Sequence, residues 1–205
     1  MAPLLIGLTG GIAAGKSEAL AALGRLGAET ISSDAVVREL LDSTEVRDRL
    51  VARWGAQVAP GGAVDRNRIS EIVFKRPEEL AWLEAELHPR VGERIDAWRR
   101  SLDPTTRFGV VEVPLLFEAA MADAFDATVA VVADEEVRRR RAEQRGHALL
   151  DERAARQLDQ DEKAARADHV VRNDGSLEDL ERELSELLAK LASQEGRSGP
   201  EPVQS

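Results

Sequence analysis

Gly10-Gly11-Ile12-Ala13-Ala14-Gly15-Lys16-Ser17 fits the pattern of glycine, four residues, then Gly-Lys-Ser. That spacing marks a site for the phosphates of a nucleoside triphosphate. The flanks agree with it. Leu4-Leu5-Ile6-Gly7-Leu8 is an unbroken apolar run that reads as a buried strand, and residues 18–26 carry apolar side chains at helical spacing. Strand, loop and helix in this order separate a phosphate cradle from a merely glycine-rich turn. Glycines let the backbone curl so that N–H groups converge on an anion, and the following helix adds the positive end of its dipole. Lys16 is expected to reach the β- and γ-phosphates, and the Ser17 hydroxyl to ligate Mg²⁺.

Composition limits what can surround this loop. With 205 residues the chain is long enough for one α/β domain with small insertions. It has no cysteine, which excludes a disulfide scaffold and thiolate chemistry. The start, Met1-Ala2-Pro3, has no basic region, and the apolar run after it is interrupted by Gly7 and Gly10. A cytoplasmic protein without a membrane segment is therefore expected. The 28 Lys and Arg against 38 Asp and Glu give a net charge of −10, which argues against nucleic acid or an anionic membrane as partner. A nucleotide is itself an anion, so a local positive field is needed, and the arginines must supply it.

Beyond the first helix, residues 27–34 read as a turn and a short strand ending in Ser32-Ser33-Asp34. Asp34 reads most simply as the N-cap of a helix over residues 35–41. Because ligands gather at the carboxyl ends of strands in open α/β sheets, it also reads as a carboxylate facing the phosphate to be transferred. Residues 43–100 are mainly helical, and Pro89 is expected to bend or divide the last helix close to His88. A lone histidine in such a helix is ordinarily structural or a surface residue. A third strand over residues 107–113 carries Glu112 near its end, either to order the water around Mg²⁺ or simply as an exposed edge carboxylate. A fourth spans residues 127–133, a continuous apolar run of the kind found in central parallel strands.

Next comes a helix with Arg138 to Arg141 in succession and then Arg145, followed by a charged helix over residues 151–167 containing Arg153, Arg156 and Lys163. Charge-rich helices are usually solvated faces. Arg141 and Arg145, four apart, nonetheless project from one face and, with Arg153, are placed to form a cationic cover over ATP. A short strand over residues 168–172 precedes a last amphipathic helix over 177–191, introduced by the start signal Ser176 with Asp179. Residues 193–205 are too poor in apolar side chains to fold and are expected to be disordered. No Asn-Lys dipeptide occurs, so a guanine-reading switch is disfavoured, and the chain is too short for a large motor. A helical insertion plus an arginine-rich lid suits a small-molecule kinase, which must close over two substrates.

The sequence resembles the dephospho-coenzyme A kinases from Ile6 to about Leu188. The resemblance rests on Leu8-Thr9-Gly10-Gly11-Ile12, Asp34 with Arg38-Glu39, Asp65-Arg66, Leu87-His88-Pro89, and Val113-Pro114-Leu115-Leu116-Phe117-Glu118. It continues through Glu143-Gln144-Arg145-Gly146, Arg153 with Gln157, Ala167-Asp168, and Asn173 with Gly175-Ser176. It implies a P-loop NTPase-type three-layer α/β/α fold with a five-stranded parallel sheet. Residues 1–192 would form one domain, with a helical coenzyme-A-binding insertion at about 43–101 and a lid at about 141–166.

The implied reaction is ATP-dependent phosphorylation of the ribose 3′-hydroxyl of dephospho-coenzyme A, the last step of coenzyme A synthesis, with Mg²⁺. The implied partners are these small molecules, in a monomer or weak homo-oligomer. Lys16, Asp34 and Arg145 would be catalytic, Asp34 accepting the proton of the 3′-hydroxyl. The nucleotide would lie along Gly11, Ile12, Ala13, Ala14, Gly15, Lys16, Ser17 and Glu18, under Arg141, Arg145 and Arg153. Glu18, often Thr in the family, is expected outside direct contact. Asp34, His88, Pro114, Leu115 and Leu116 would hold the acceptor. The family usually has Asp-x-Asp where this chain keeps only Asp34, and Gln160 and Arg172 replace the Arg and Asp of many members. A kinase for another small hydroxyl compound or nucleotide, or a nucleotide-binding protein without turnover, are the alternative readings.

Overall fold

The computed structural model describes residues 3–144 and 157–195. The chain runs β1 (Leu4–Gly10), α1 (Lys16–Arg25), β2 (Glu29–Ser32), α2 (Ser33–Asp42), α3 (Thr44–Trp54), α4 (Arg66–Lys75) and α5 (Pro77–Ser101). It continues with β3 (Phe108–Glu112), β4 (Ala127–Val132), α6 (Glu135–Gln144), α7 (Gln160–Arg166), β5 (His169–Arg172) and α8 (Leu177–Glu195). The five strands form one sheet in the order β2-β3-β1-β4-β5, and the pairings of β1 with β3, β1 with β4 and β4 with β5 are all parallel. This is the five-stranded α/β sheet expected from the sequence.

Strand periodicity explains the layers. Ile6 and Leu8 of β1, with Val129 and Val131 of β4, turn to the face covered by α1 and α8. Thr9 and Ala130, one step out of phase, are equally buried but turn to the opposite face, where α7 packs on β4 and β1. Burial on both faces is why these strands read as continuous apolar runs rather than alternating ones. In α8, Leu180, Leu184, Leu187, Leu188 and Leu191 make one buried stripe at helical spacing. The expected start signal is present: Ser176 Oγ accepts from Asp179 N (3.2 Å), and Asp179 Oδ2 accepts from Ser176 N (3.0 Å). The helix continues to Glu195, so residues 193–195, expected in the tail, are helical.

The described residues group into two compact units, 3–30 with 103–144 and 157–195, and residues 31–102. The second has its own core, in which Leu41, Val46, Leu50, Trp54, Val58, Ile69, Val73, Leu83 and Leu87 pack together. Trp54 and Trp82 meet edge to face at 5.2 Å and 72°. The Trp54 indole and the Arg53 guanidinium both donate to the buried carboxylate of Glu79 (2.8 and 2.9 Å).

Two expectations here need correcting. Pro89 does not divide α5, which runs unbroken. The buried stripe of α5 is Glu79, Leu83, Leu87, Val91 and Ile95, which leaves Pro89 on the exposed side of the helix. Asp34 is not a cap either, because the helix already begins at Ser33 and Ser32 is its N-cap residue. No described helix is long and apolar enough to cross a membrane.

Candidate active site at the phosphate loop

β1 delivers the chain to the loop at Gly10, whose φ of 151° and tight approach to β4 both demand glycine. A Cβ there would lie 2.2 Å from the Val131 carbonyl oxygen. Ala13 (φ 58°) and Gly15 (φ 97°) are left-handed, and such alternation turns successive N–H groups toward one concavity. Gly15 is the N-cap residue of α1 and, among the described residues, no side chain caps the helix. Its first N–H groups are thus presented to an anion. Lys16 Nζ donates to the carbonyls of Gly10 (3.1 Å) and Gly11 (3.0 Å), so the ammonium lies across the mouth of the loop.

The loop is braced from behind. The buried Asn173 amide donates to the Ala14 carbonyl (2.9 Å), and its own backbone N–H donates to Val132 (2.8 Å). Arg141 donates to the same Ala14 carbonyl and to Asn173 Oδ1, each at 3.4 Å. A Cβ on Gly15 would stand 2.0 Å from Asn173 Nδ2, so this bracing requires glycine there. In front of the loop lies a cleft of about 460 Å³. It is bounded by residues 11–13, by Glu135, Arg138, Arg139 and Ala142 of α6, and by residues 157–160.

A second constellation lies under the loop after β3. Lys163 has 0% exposure, although the sequence placed it on a solvated helix. Its ammonium pairs with Glu118 Oε1 (3.0 Å) and donates to the Pro114 carbonyl, which also accepts from Thr9 Oγ1 (3.3 Å). Glu118 Oε1 accepts the backbone N–H of Leu158 (2.8 Å) as well. One buried ion pair therefore ties together the end of β1, the 114–118 loop and the segment entering α7. That segment departs from expectation. Residues 157–159 are not helical, and α7 starts at Gln160 under a capping box between Asp159 and Glu162.

The remaining predicted residues fall as follows. Ser17 and Glu18 are exposed at the start of α1, and Glu18 points along the helix to Arg25 (3.5 Å). Ile12 and Ala13 are half-buried at the cleft. Pro114 and Leu115 are half-buried, whereas Leu116 is fully buried and packs beneath their loop rather than lining it. Glu112 is 6% exposed at the end of β3, so the exposed-edge reading fails. Asp34 and His88 are exposed side chains of the 31–102 unit, on α2 and α5. Arg145 and Arg153 lie outside the described residues.

Asn173, Glu118, Lys163, Gln160 and Arg138 were given no role from the sequence. Asn173 and Glu118 belong to motifs that carry the family resemblance, which is the signal that pointed to them. For Lys163 the signal was faint: two alanines follow it in a helix otherwise full of charge. Gln160 Oε1 accepts the Ala133 N–H (3.2 Å) at the end of β4.

Comparison with known proteins agrees with this geometry. The family model described as dephospho-CoA kinase (CoaE) matches residues 4–179. The chain is 37% identical over 193 residues to the dephospho-CoA kinase of Protochlamydia amoebophila, covering 91% of this chain and 95% of that one. It is 39% identical over 203 residues to the dephospho-CoA kinase of Anaeromyxobacter dehalogenans, covering 96% of each. Among solved structures, TT1252 from Thermus thermophilus superposes with a TM-score of 0.79 at 34% identity, covering 93% of this chain and 99% of that one. The dephospho-CoA kinase from Campylobacter jejuni superposes at 0.68 and 24% identity, covering 93% and 98%, a likeness that speaks for the fold. The chain belongs to the dephospho-CoA kinase family.

Proposed function

We propose that this chain transfers the γ-phosphoryl group of ATP to the ribose 3′-hydroxyl of dephospho-coenzyme A, giving coenzyme A and ADP. The family match over residues 4–179 supports the acceptor, and one observation in the molecule carries the donor: a left-handed loop opening onto an uncapped helix start beneath Lys16. In this reading the main-chain N–H groups of the loop and Lys16 hold the β- and γ-phosphates. Phosphoryl transfer asks mainly for alignment and neutralised charge.

A magnesium ion fits the donor set. Mg²⁺ keeps several waters and takes few protein ligands beside phosphate oxygens. Ser17 offers one exposed hydroxyl at the loop, and among the described residues no group of three or more His, Asp or Glu could hold a metal by itself. When bound, the ion would neutralise charge on the β- and γ-oxygens.

In the step itself, the Asp34 carboxylate takes the 3′-hydroxyl proton while that oxygen forms the new bond to γ-phosphorus. The bond from γ-phosphorus to the β–γ bridging oxygen breaks, and ADP leaves with the electron pair. His88, Pro114 and Leu115 would contact the acceptor, and the helices of residues 43–101 would hold it. Residues 141–166 would act as a lid, with Arg145 and Arg153 meeting charge on the transferring group. The test offers purified protein ATP, Mg²⁺ and a panel of hydroxyl acceptors while ADP release is followed. Dephospho-coenzyme A should give the highest kcat/KM. Equal or faster release with shikimate, gluconate or a nucleoside would overturn the assignment.

A further inference from the structure

Three side chains of the α6 arginine run lie near the phosphate loop and are differently placed: Arg139 is exposed at the cleft, whereas Arg138 and Arg141 are partly buried against the loop. Arg141 is occupied: its guanidinium donates to the Ala14 carbonyl and to Asn173 Oδ1, both at 3.4 Å. Those contacts fix the loop's backbone. Arg138, one turn earlier on α6, lines the cleft beside residues 11–13. Its Nη1 lies 3.4 Å from where a Gly11 Cβ would stand, so the absence of a side chain at Gly11 leaves the guanidinium directly over the loop. Its Nε is buried and, among the described residues, has no hydrogen-bond partner. A guanidinium is permanently charged, and leaving one of its donors buried and unpaired costs free energy that some acceptor normally recovers. Glu135, the one acidic residue of α6 on the cleft, is exposed and among the described residues is not bonded to Arg138, and Asp159 Oδ1 accepts from the Glu162 N–H (2.7 Å).

We infer that Arg138 contacts the outer phosphate of the bound nucleoside triphosphate, while Arg141 is a positioning residue that acts through Ala14. The inference rests on the kinase reading above and deepens it. An anion seated on residues 11–13 would meet Arg138 from the cleft side. A planar guanidinium suits the paired oxygens of a phosphate better than an ammonium does. Replacing Arg138 removes no hydrogen bond within the described protein, so its loss should be felt by the ligand and not by the fold.

The test is calorimetric titration of the full chain, without acceptor, using ADP and the non-hydrolysable analogue adenylyl imidodiphosphate, each with Mg²⁺. For R138A, affinity for the triphosphate analogue should fall about tenfold or more while ADP affinity changes less than about threefold, the span expected when one charge-assisted contact to the outer phosphate is lost. R138K should recover part of that loss, and thermal midpoints of both variants should match the wild type. R141A, acting through the loop, should weaken both nucleotides alike. Unchanged triphosphate affinity in R138A, or equal loss for ADP, overturns the assignment of Arg138. If R138A unfolds, the same discrimination in R138K decides, and equal affinities there overturn it. Failure of the wild type to bind either nucleotide would sink the kinase reading, and this assignment with it.

Discussion

Asp34 carries the sharpest chemical claim made for a single side chain. It is exposed in the first turn of α2 and is not spent on capping, so its carboxylate is available for proton transfer. D34N should retain ATP affinity and lose turnover by about 10² or more, the usual contribution of a positioned acid or base. Turnover near the wild-type rate would remove it from the chemistry. Asn173 makes a contrasting case, because its buried amide holds the Ala14 carbonyl and its work is structural. N173A should destabilise the protein by about 1 kcal/mol, the net worth of one hydrogen bond, since the Ala14 carbonyl keeps its longer contact with Arg141, and weaken ADP and ATP together. Full stability with normal nucleotide binding would contradict that bracing. At this scale the sequence was legible where the motif dictates the backbone, at Gly10, Gly15 and Lys16, since only certain residues tolerate those torsions and contacts. It was mute on Arg138 and Lys163, because a run of charge looks the same whether one member faces water or a buried carboxylate.

Among the elements, α7 depends most on a hidden interaction. Lys163 is fully buried and its partner Glu118 mostly so, and removing one of them strands the other charge. K163M should therefore cost about 3–5 kcal/mol in denaturant unfolding, while the double variant K163M/E118L should recover most of it. A double variant as unstable as the single one would show that the pairing itself is not what matters. At the other end, the start of α8 rests on the Ser176–Asp179 box, with Asp179 held at about 2, below its usual 3.8, chiefly by hydrogen bonds from Ser176 and Arg182. Helix existence and order were legible from apolar spacing and start signals. Pro89 was misread because a proline on the exposed face of a long, well-packed helix costs too little to divide it. The segment at 157–159 was misread because the Asp159 capping box is a helix start set inside what looks like a continuous charged helix.

Across the molecule, two separate cores underlie one chain, and each makes its own demand on stability. In the 31–102 unit, L50A should lower stability by about 2–5 kcal/mol, since Leu50 is fully enclosed. Acid should act more broadly. Arg53 and Trp54 hold the Glu79 carboxyl below its usual range, Thr128 does so for Asp168, and burial depresses His169. A group whose folded pKa is depressed binds protons more readily when unfolded. Its stabilisation is complete above the unfolded pKa and is lost as pH falls through the folded one. The urea midpoint should therefore begin to fall below about pH 6.5, where His169 protonates in the unfolded chain, and drop further below about pH 4 as the carboxylates follow. A midpoint that is flat from pH 7 to pH 3 would contradict this. The parallel sheet was legible because buried strands must be apolar on both faces, and the helical insertion expected at about 43–101 lies within the 31–102 unit, whose own core depends on long-range packing that spacing alone does not encode. The most direct measurement is the site of phosphorylation in the product of ATP, Mg²⁺ and dephospho-coenzyme A, read by mass spectrometry and phosphorus NMR. A single new phosphate on the ribose 3′-oxygen is the predicted result, and no transfer, or transfer to any other hydroxyl, would contradict the account.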